Sequence, residues 1–221
     1  MPVKALIFDL DGTLVDTAPD LMAATNHALN GMGRPGLSDA QLRSFVGHGS
    51  MALIRRGLEA TGGLTDEASV KRLQDEFLAH YADHIATNSV VFAGLVEVLQ
   101  KAQMRGLKMA VCTNKVERLS HKLLKEIGLA KYFGAVVGGD TLPVMKPNRA
   151  PYEEAVRRLG LDPKDSLMFG DSETDIRTAQ NVGVPVIAVS FGYTPQHVSA
   201  FAPDHVIDHY DEAWALVERY L

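Results

Sequence analysis

The sequence has a single cysteine among its 221 residues, which excludes an intramolecular disulfide. Cys112 closes the apolar run Met109-Ala110-Val111, so it reads as a small buried hydrophobe. A nucleophilic thiol would need an exposed, electropositive setting. The sequence also lacks any apolar stretch near the roughly 20 residues of a membrane-spanning helix. Its first apolar run, Ala5 to Phe8, is cut by Asp9 and is too short for a signal peptide. A cytoplasmic chain with no membrane partner is expected. A basic surplus is missing as well: 22 Lys and Arg stand against 27 Asp and Glu, a net charge of −5. Nucleic acid would need a concentrated basic surface, so it is not expected as a partner. A small anionic ligand is still allowed, because one local positive site suffices for it.

What is present is the balance of an ordinary globular protein, 46% hydrophobic and 22% charged. Short apolar runs alternate with amphipathic stretches. Strands are predicted at Val3 to Phe8, Leu107 to Cys112, Ala135 to Val137, Ser166 to Phe169, Val186 to Val189 and His205 to Ile207. Between them lie helical stripes. Leu95, Val98, Leu99 and Ala102 form one, with Gly106 at its stop. Val116, Leu119, Leu123 and Ile127 form a second, ended by Gly128. Tyr152, Ala155, Val156 and Leu159 form a third, ended by Gly160. This order predicts an α/β fold, a doubly wound parallel sheet with helices on both faces. From Asp16 to about Asn88 the pattern changes to helices with no convincing strand. Leu21, Thr25, Ala28 and Met32 share one helical face, and Val70, Leu73, Phe77 and Tyr81 another. The expected division is therefore a core of residues 1–15 and 89–221, with a helical domain of residues 16–88 inserted after the first strand.

In an open parallel sheet, ligands bind beyond the carboxyl ends of the strands. Polar residues collect there after four of the runs. Asp9, Asp11, Gly12 and Thr13 follow Phe8. Thr113 and Asn114 follow Cys112. Gly170, Asp171, Ser172 and Asp175 follow Phe169. Lys146 comes after the Ala135 strand and a loop. Two carboxylates about 4 Å apart repel by roughly 4 kcal/mol at an effective dielectric near 20. Asp9, Asp11, Asp171 and Asp175 must then take up protons or bind a cation. Oxygen-only ligands suit Mg²⁺, whereas zinc would want histidine or cysteine, which these positions lack. Gly12 permits a sharp turn whose N–H groups cradle an anion. With Lys146, Thr113 and Asn114 this suits a phosphoryl group, whose transfer needs positioning and neutralised oxygens. An aspartate nucleophile and a second carboxylate as general acid/base are feasible. Structural roles compete: Asp171 and Asp175 also suit a helix start, and Thr113 and Asn114 a turn. His48 between two glycines is left out of the catalytic set, and Arg55 and Arg56 read as a solvated face.

Asp9-Leu10-Asp11-Gly12-Thr13-Leu14-Val15-Asp16 resembles the first motif of the haloacid dehalogenase-like superfamily. Thr113-Asn114 resembles the second, Lys146-Pro147 the third, and Gly170-Asp171-Ser172-Glu173-Thr174-Asp175 the fourth, so the resemblance spans essentially the whole chain in order. It implies a Rossmann-like core with an inserted α-helical cap that closes over the site. It implies Asp9 as nucleophile and metal ligand. Asp11 becomes general acid/base, with its main-chain carbonyl on the metal. Thr113, Asn114 and Lys146 become the phosphoryl-binding residues, and Asp171 and Asp175 Mg²⁺ ligands, the latter directly or through water. Asp11 sets the chain apart from the dehalogenases, which lack that second acid. Val15-Asp16-Thr17, Phe45-Val46-Gly47-His48-Gly49 and Gly170-Asp171-Ser172 are most similar to phosphoglycolate phosphatases. Two departures are Asn148-Arg149 where a His-Pro pair is common, and Ala93-Gly94 where Pro-Gly is usual. The resemblance implies an Mg²⁺-dependent phosphomonoester hydrolase with an aspartyl-phosphate intermediate and 2-phosphoglycolate as substrate; a monomer or homodimer is expected. A sugar phosphomutase of the β-phosphoglucomutase type and a non-catalytic phospho-ligand binding protein are the alternatives.

Overall fold

The structure is a computed structural model and describes residues 2–221; Met1, the first residue of the expected core segment, lies outside it. In chain order the elements are β1 (Ala5–Phe8), β2 (Val15–Asp16), α1 (Ala18–Gly31), α2 (Asp39–Phe45), α3 (Ser50–Ala60), α4 (Glu67–Asp83), β3 (Val90–Val91) and α5 (Leu95–Met104). Then follow β4 (Lys108–Cys112), α6 (Glu117–Glu126), β5 (Ala135–Val137), α7 (Arg149–Arg158), β6 (Ser166–Gly170), α8 (Glu173–Val182), β7 (Val186–Val189), β8 (His205–Ile207) and α9 (Ala213–Val217).

Six strands form one parallel sheet in the order β5-β4-β1-β6-β7-β8. The twofold period of each strand divides its apolar side chains between two cores. Leu6, Phe8, Met109, Val111, Leu167 and Phe169 point to one face, where α5, α6 and α9 contribute Leu95, Leu99, Leu123 and Val217. Ala5, Ile7, Ala110, Cys112, Met168 and Val186 point to the other, covered by Tyr152 and Val156 of α7 and Ile176 and Ala179 of α8. Large side chains such as Phe8 and Leu6 are fully buried, each worth about 1.5–3 kcal/mol over exposure. Cys112 lies in this core, and burial pushes its thiol up to about 12, in keeping with a packing role.

Strand order reverses at β1, which pairs β4 on one side and β6 on the other. The crevice at that point lies above the C-terminal ends of the three central strands.

Helices α1 to α4 lie between β2 and β3 in the chain, and so between the sheet strands β1 and β4. The buried face of α1, Leu21, Ala24, Thr25 and Ala28, packs on α4, which buries Val70, Leu73, Phe77 and Tyr81. Met32, expected on that face, instead caps α1 and is exposed. A Ser38–Gln41 capping box starts α2, and Asp66 accepts from Ser69 N–H to start α4. Strand appears only at the edges of the segment. Asp16 and Val90, with Val15 and Val91, form a two-residue antiparallel ribbon that joins the chain's way into the helices to its way out. Two residues per strand are too few for alternation to register.

Candidate active site

Asp9 follows the last residue of β1 and so stands in the crevice between β4 and β6. Lys146, from the segment between β5 and α7, places Nζ 2.8 Å from Asp9 Oδ1 and 2.6 Å from Asp175 Oδ1. Asp171 follows β6 directly, and Asp175 sits in the first turn of α8. All four are buried. Oxygens of Asp9, Asp171 and Asp175 lie within 4.8 Å of one another. The sequence expectation that these acids crowd together therefore holds for three of the four.

The electrostatics of this cluster are unbalanced. Three carboxylates face one ammonium, leaving two negative charges in excess when all are ionised. Burial, and then Asp175 and Asp9, hold the Asp171 carboxyl well above its usual range. Burial also raises Asp9, to about 6; Lys146 opposes the shift and Asp175 adds to it. Burial alone would lower Lys146, but Asp175 and Asp9 outweigh it and hold the ammonium well above its ordinary value. Asp9 Oδ1 meets the ammonium at an angle poor for a hydrogen bond, so it has no hydrogen-bond partner among the described residues. Asp171 Oδ2 accepts from Tyr193 N–H at 2.8 Å, and its Oδ1 from Thr13 Oγ1 at 3.2 Å. Both oxygens of Asp175 are occupied, Oδ1 by Lys146 and Oδ2 by Ser172 N–H and Oγ. Oxygen donors, an orphaned buried carboxylate oxygen and a twofold charge excess fit a divalent cation.

Gly12 makes the approach possible. Its φ is +83°, and a Cβ there would lie 2.5 Å from Asp171 Oδ2. The chain turns back at this point, with Gly12 N–H donating to Val15 O. Within that turn Asp11, which borders the same cavity as Asp9, meets a second cation. Lys115 Nζ lies 3.0 and 3.1 Å from the two Asp11 oxygens, and Thr17 Oγ1 donates to Oδ1 at 2.7 Å. Lys115 is itself buried, donates to Tyr81 OH at 2.8 Å and sits 4.3 Å from that ring's centre. The sequence reading passed over Lys115, although it directly follows Thr113 and Asn114.

Thr113 and Asn114 stand beyond β4, as expected. The Thr113 hydroxyl accepts Lys115 N–H at 3.2 Å, and its own hydrogen has no recorded acceptor among the described residues. The Asn114 amide is engaged on both ends. It accepts from Lys146 N at 3.0 Å and donates at 3.1 Å to the carbonyls of Lys146 and Gly47. Asn114 thereby holds the lysine's backbone and a loop of the helical segment together.

Of the cavities that open where that segment meets the sheet, two border Asp11. One, about 50 Å³, is bounded by Asp9, Asp11, Thr113, Asn114 and Lys115 below and by Leu21, Leu53, Phe77 and Tyr81 above. The other, about 550 Å³, is bounded by Asp11, Asp171, Ser172 and Tyr193 on one side and Gly47, His48 and Arg56 on the other. Tyr193 links the two halves. Its OH donates to Asp16 at 2.6 Å and accepts the N–H groups of Thr17 and Ala18, while Arg43 of α2 pairs with Asp16 at 3.2 Å. Burial alone would raise Asp16, but Tyr193 and Arg43 hold its carboxyl below the usual range.

A model of the family described as haloacid dehalogenase-like hydrolase matches residues 6–189. A phosphoglycolate phosphatase of Mesorhizobium japonicum is 43% identical over 206 residues, covering 93% of this chain and 91% of that one. One of Caulobacter vibrioides is 43% identical over 202 residues, covering 91% and 85%. A crystal structure described as a predicted phosphoglycolate phosphatase from Haemophilus somnus 129PT superposes with a TM-score of 0.91 at 29% identity, covering 97% of both chains.

Proposed function

The chain belongs to the haloacid dehalogenase-like hydrolases, and on that premise we propose that it hydrolyses 2-phosphoglycolate to glycolate and phosphate through a phosphorylated Asp9. It is a phosphatase, as are the relatives that match it over nearly its whole length. The observation that carries the mechanism is the buried Asp9 oxygen with no hydrogen-bond partner, 2.8 Å from Lys146 at the crevice floor.

Phosphatases of this family generally use a divalent metal, and Mg²⁺ is the ion we assign here. Asp9 and Asp171 would hold it with the main-chain carbonyl of Asp11, and Asp175 would support it directly or through water. When bound, the ion supplies positive charge against the phosphoryl oxygens and keeps the carboxylates ionised.

In the first displacement an Asp9 oxygen attacks phosphorus and the ester P–O bond breaks. Asp11 gives its proton to the departing alkoxide oxygen, which leaves as the alcohol. In the second, Asp11 takes a proton from water, the water oxygen attacks phosphorus and the Asp9–phosphorus bond breaks. Inorganic phosphate leaves and Asp9 is restored. Lys146 neutralises phosphoryl charge, and Thr113 and Asn114 orient the group. Residues 16–88 serve as a cap on the core of 1–15 and 89–221, excluding bulk water from the acyl phosphate. No helix is long and apolar enough to cross a membrane among the described residues. With its one cysteine buried, the cytoplasm is the compartment we propose.

The test is phosphate release from 2-phosphoglycolate with Mg²⁺ and with EDTA. Mg²⁺-dependent release supports the reading. An isomerised sugar phosphate with no free phosphate would support the mutase alternative. Binding of phosphoesters without any turnover would support a non-catalytic module.

A further inference from the structure

We infer that Arg56 takes a second anionic group of the substrate, so that the enzyme prefers phosphomonoesters of small hydroxy acids over those of neutral alcohols or sugars. The inference rests on the proposed phosphatase reading and names the residue that takes the substrate's carboxylate.

Arg56 lies on α3 and borders the larger cavity, opposite Asp11 and Asp171. Its Nη1 donates to Phe45 O at 3.2 Å and lies 3.4 Å from His48 Nδ1. Neither partner is a carboxylate. Arg34 and Arg72 of the same segment, which border neither cavity, also lack a carboxylate and bond Leu58 O and Ser69 Oγ, but the two other arginines are paired. Arg55 pairs with Glu67 at 2.5 Å, and Arg43 with Asp16 and Asp39. Among the described residues Arg56 has no ion pair, and its Nε and Nη2 hydrogens have no protein acceptor. The guanidinium is partly buried and permanently charged, and its free edge matches a carboxylate in two parallel hydrogen bonds.

The rest of the crevice offers a second anion little. The upper wall of the smaller cavity is largely apolar, with Leu21, Leu53 and Phe77; it offers the hydroxyls of Ser50 and Tyr81 but no cation. Lys146 and Lys115 are already committed to Asp9, Asp175 and Asp11. Of the cations bordering these cavities, Arg56 is the one with no carboxylate among the described residues. Asp11 borders both cavities, so a substrate whose phosphoryl group sits at Asp9 and whose carboxylate extends past Asp11 into the larger cavity would meet the guanidinium. A hydroxyl in the same place would leave Arg56 unpaired.

The measurement is kcat/KM of wild type, Arg56→Gln and Arg56→Lys on 2-phosphoglycolate and on 2-hydroxyethyl phosphate, its neutral counterpart. The wild-type ratio of the two should favour the carboxylate. In Arg56→Gln that ratio should fall by about 10- to 100-fold, with KM for 2-phosphoglycolate rising, and Arg56→Lys should recover part of it. Because the readout is a ratio within one protein, lost folding or a displaced Phe45 loop lowers both substrates together and leaves it unchanged. An unchanged ratio overturns the inference. So does a wild type that hydrolyses the neutral ester at least as well, which leaves the phosphatase reading intact. Release of phosphate from neither ester by wild type would sink the substrate reading, and the inference with it.

Discussion

Gly12 has no room for a side chain. Its left-handed backbone would cost any other residue about 1–2 kcal/mol, and a Cβ would press on Asp171. Gly33 shares the left-handed φ, at +70°, but has nothing within 4 Å. Gly12→Ala is therefore expected to destabilise the protein by about 1–3 kcal/mol more than Gly33→Ala, by urea unfolding, and to lower turnover at least about tenfold. Equal losses for the two variants would mean that the Asp171 contact does not matter. The site residues that the sequence made legible are those at strand ends: Asp9, Asp171, Thr113 and Asn114 are fixed by local chain direction alone. Lys115 and Tyr193 were not legible. Each acts through contacts made far along the chain, Lys115 with Asp11 and Tyr193 with Asp16.

At the scale of elements, the junction between the helices and the sheet is held by more than the β2–β3 ribbon. Asp20, buried in the first turn of α1, accepts five hydrogen bonds from Asn88 and Ser89, between 2.7 and 3.0 Å. The carboxylate ties the start of the helical segment to its end. Asp20→Ala orphans two main-chain N–H groups, so a loss of about 2–6 kcal/mol is expected, together with faster proteolysis near residues 84–90. Unfolding within about 0.5 kcal/mol of wild type would contradict this role. Periodicity located the six sheet strands well: Ala135–Val137, Val186–Val189 and His205–Ile207 coincide with prediction. It extended the first strand to Val3, whereas pairing begins at Ala5. It could not find Val90–Val91, because a two-residue ribbon has no period to read.

At the scale of the molecule, the strand order places Asp9 where the sheet's winding reverses, and the inserted helices lie over that point. The parallel order was implied by the alternation of strands and helices, since parallel neighbours require a crossover between them. Which insertion side chains face the crevice depends on how four helices dock, which no local pattern encodes. The outcome is a site half made by each part: acids and Lys146 from the sheet, an apolar roof and Arg56 from the helices. Its central claim is covalent. Acid quenching during turnover of 2-phosphoglycolate with Mg²⁺, followed by borohydride, would reduce an aspartyl-phosphate to homoserine. Peptide mapping should find homoserine at position 9, only when substrate is present, and Asp9→Asn should release no phosphate. Homoserine at another aspartate, or phosphate release by Asp9→Asn at the wild-type rate, would contradict the account.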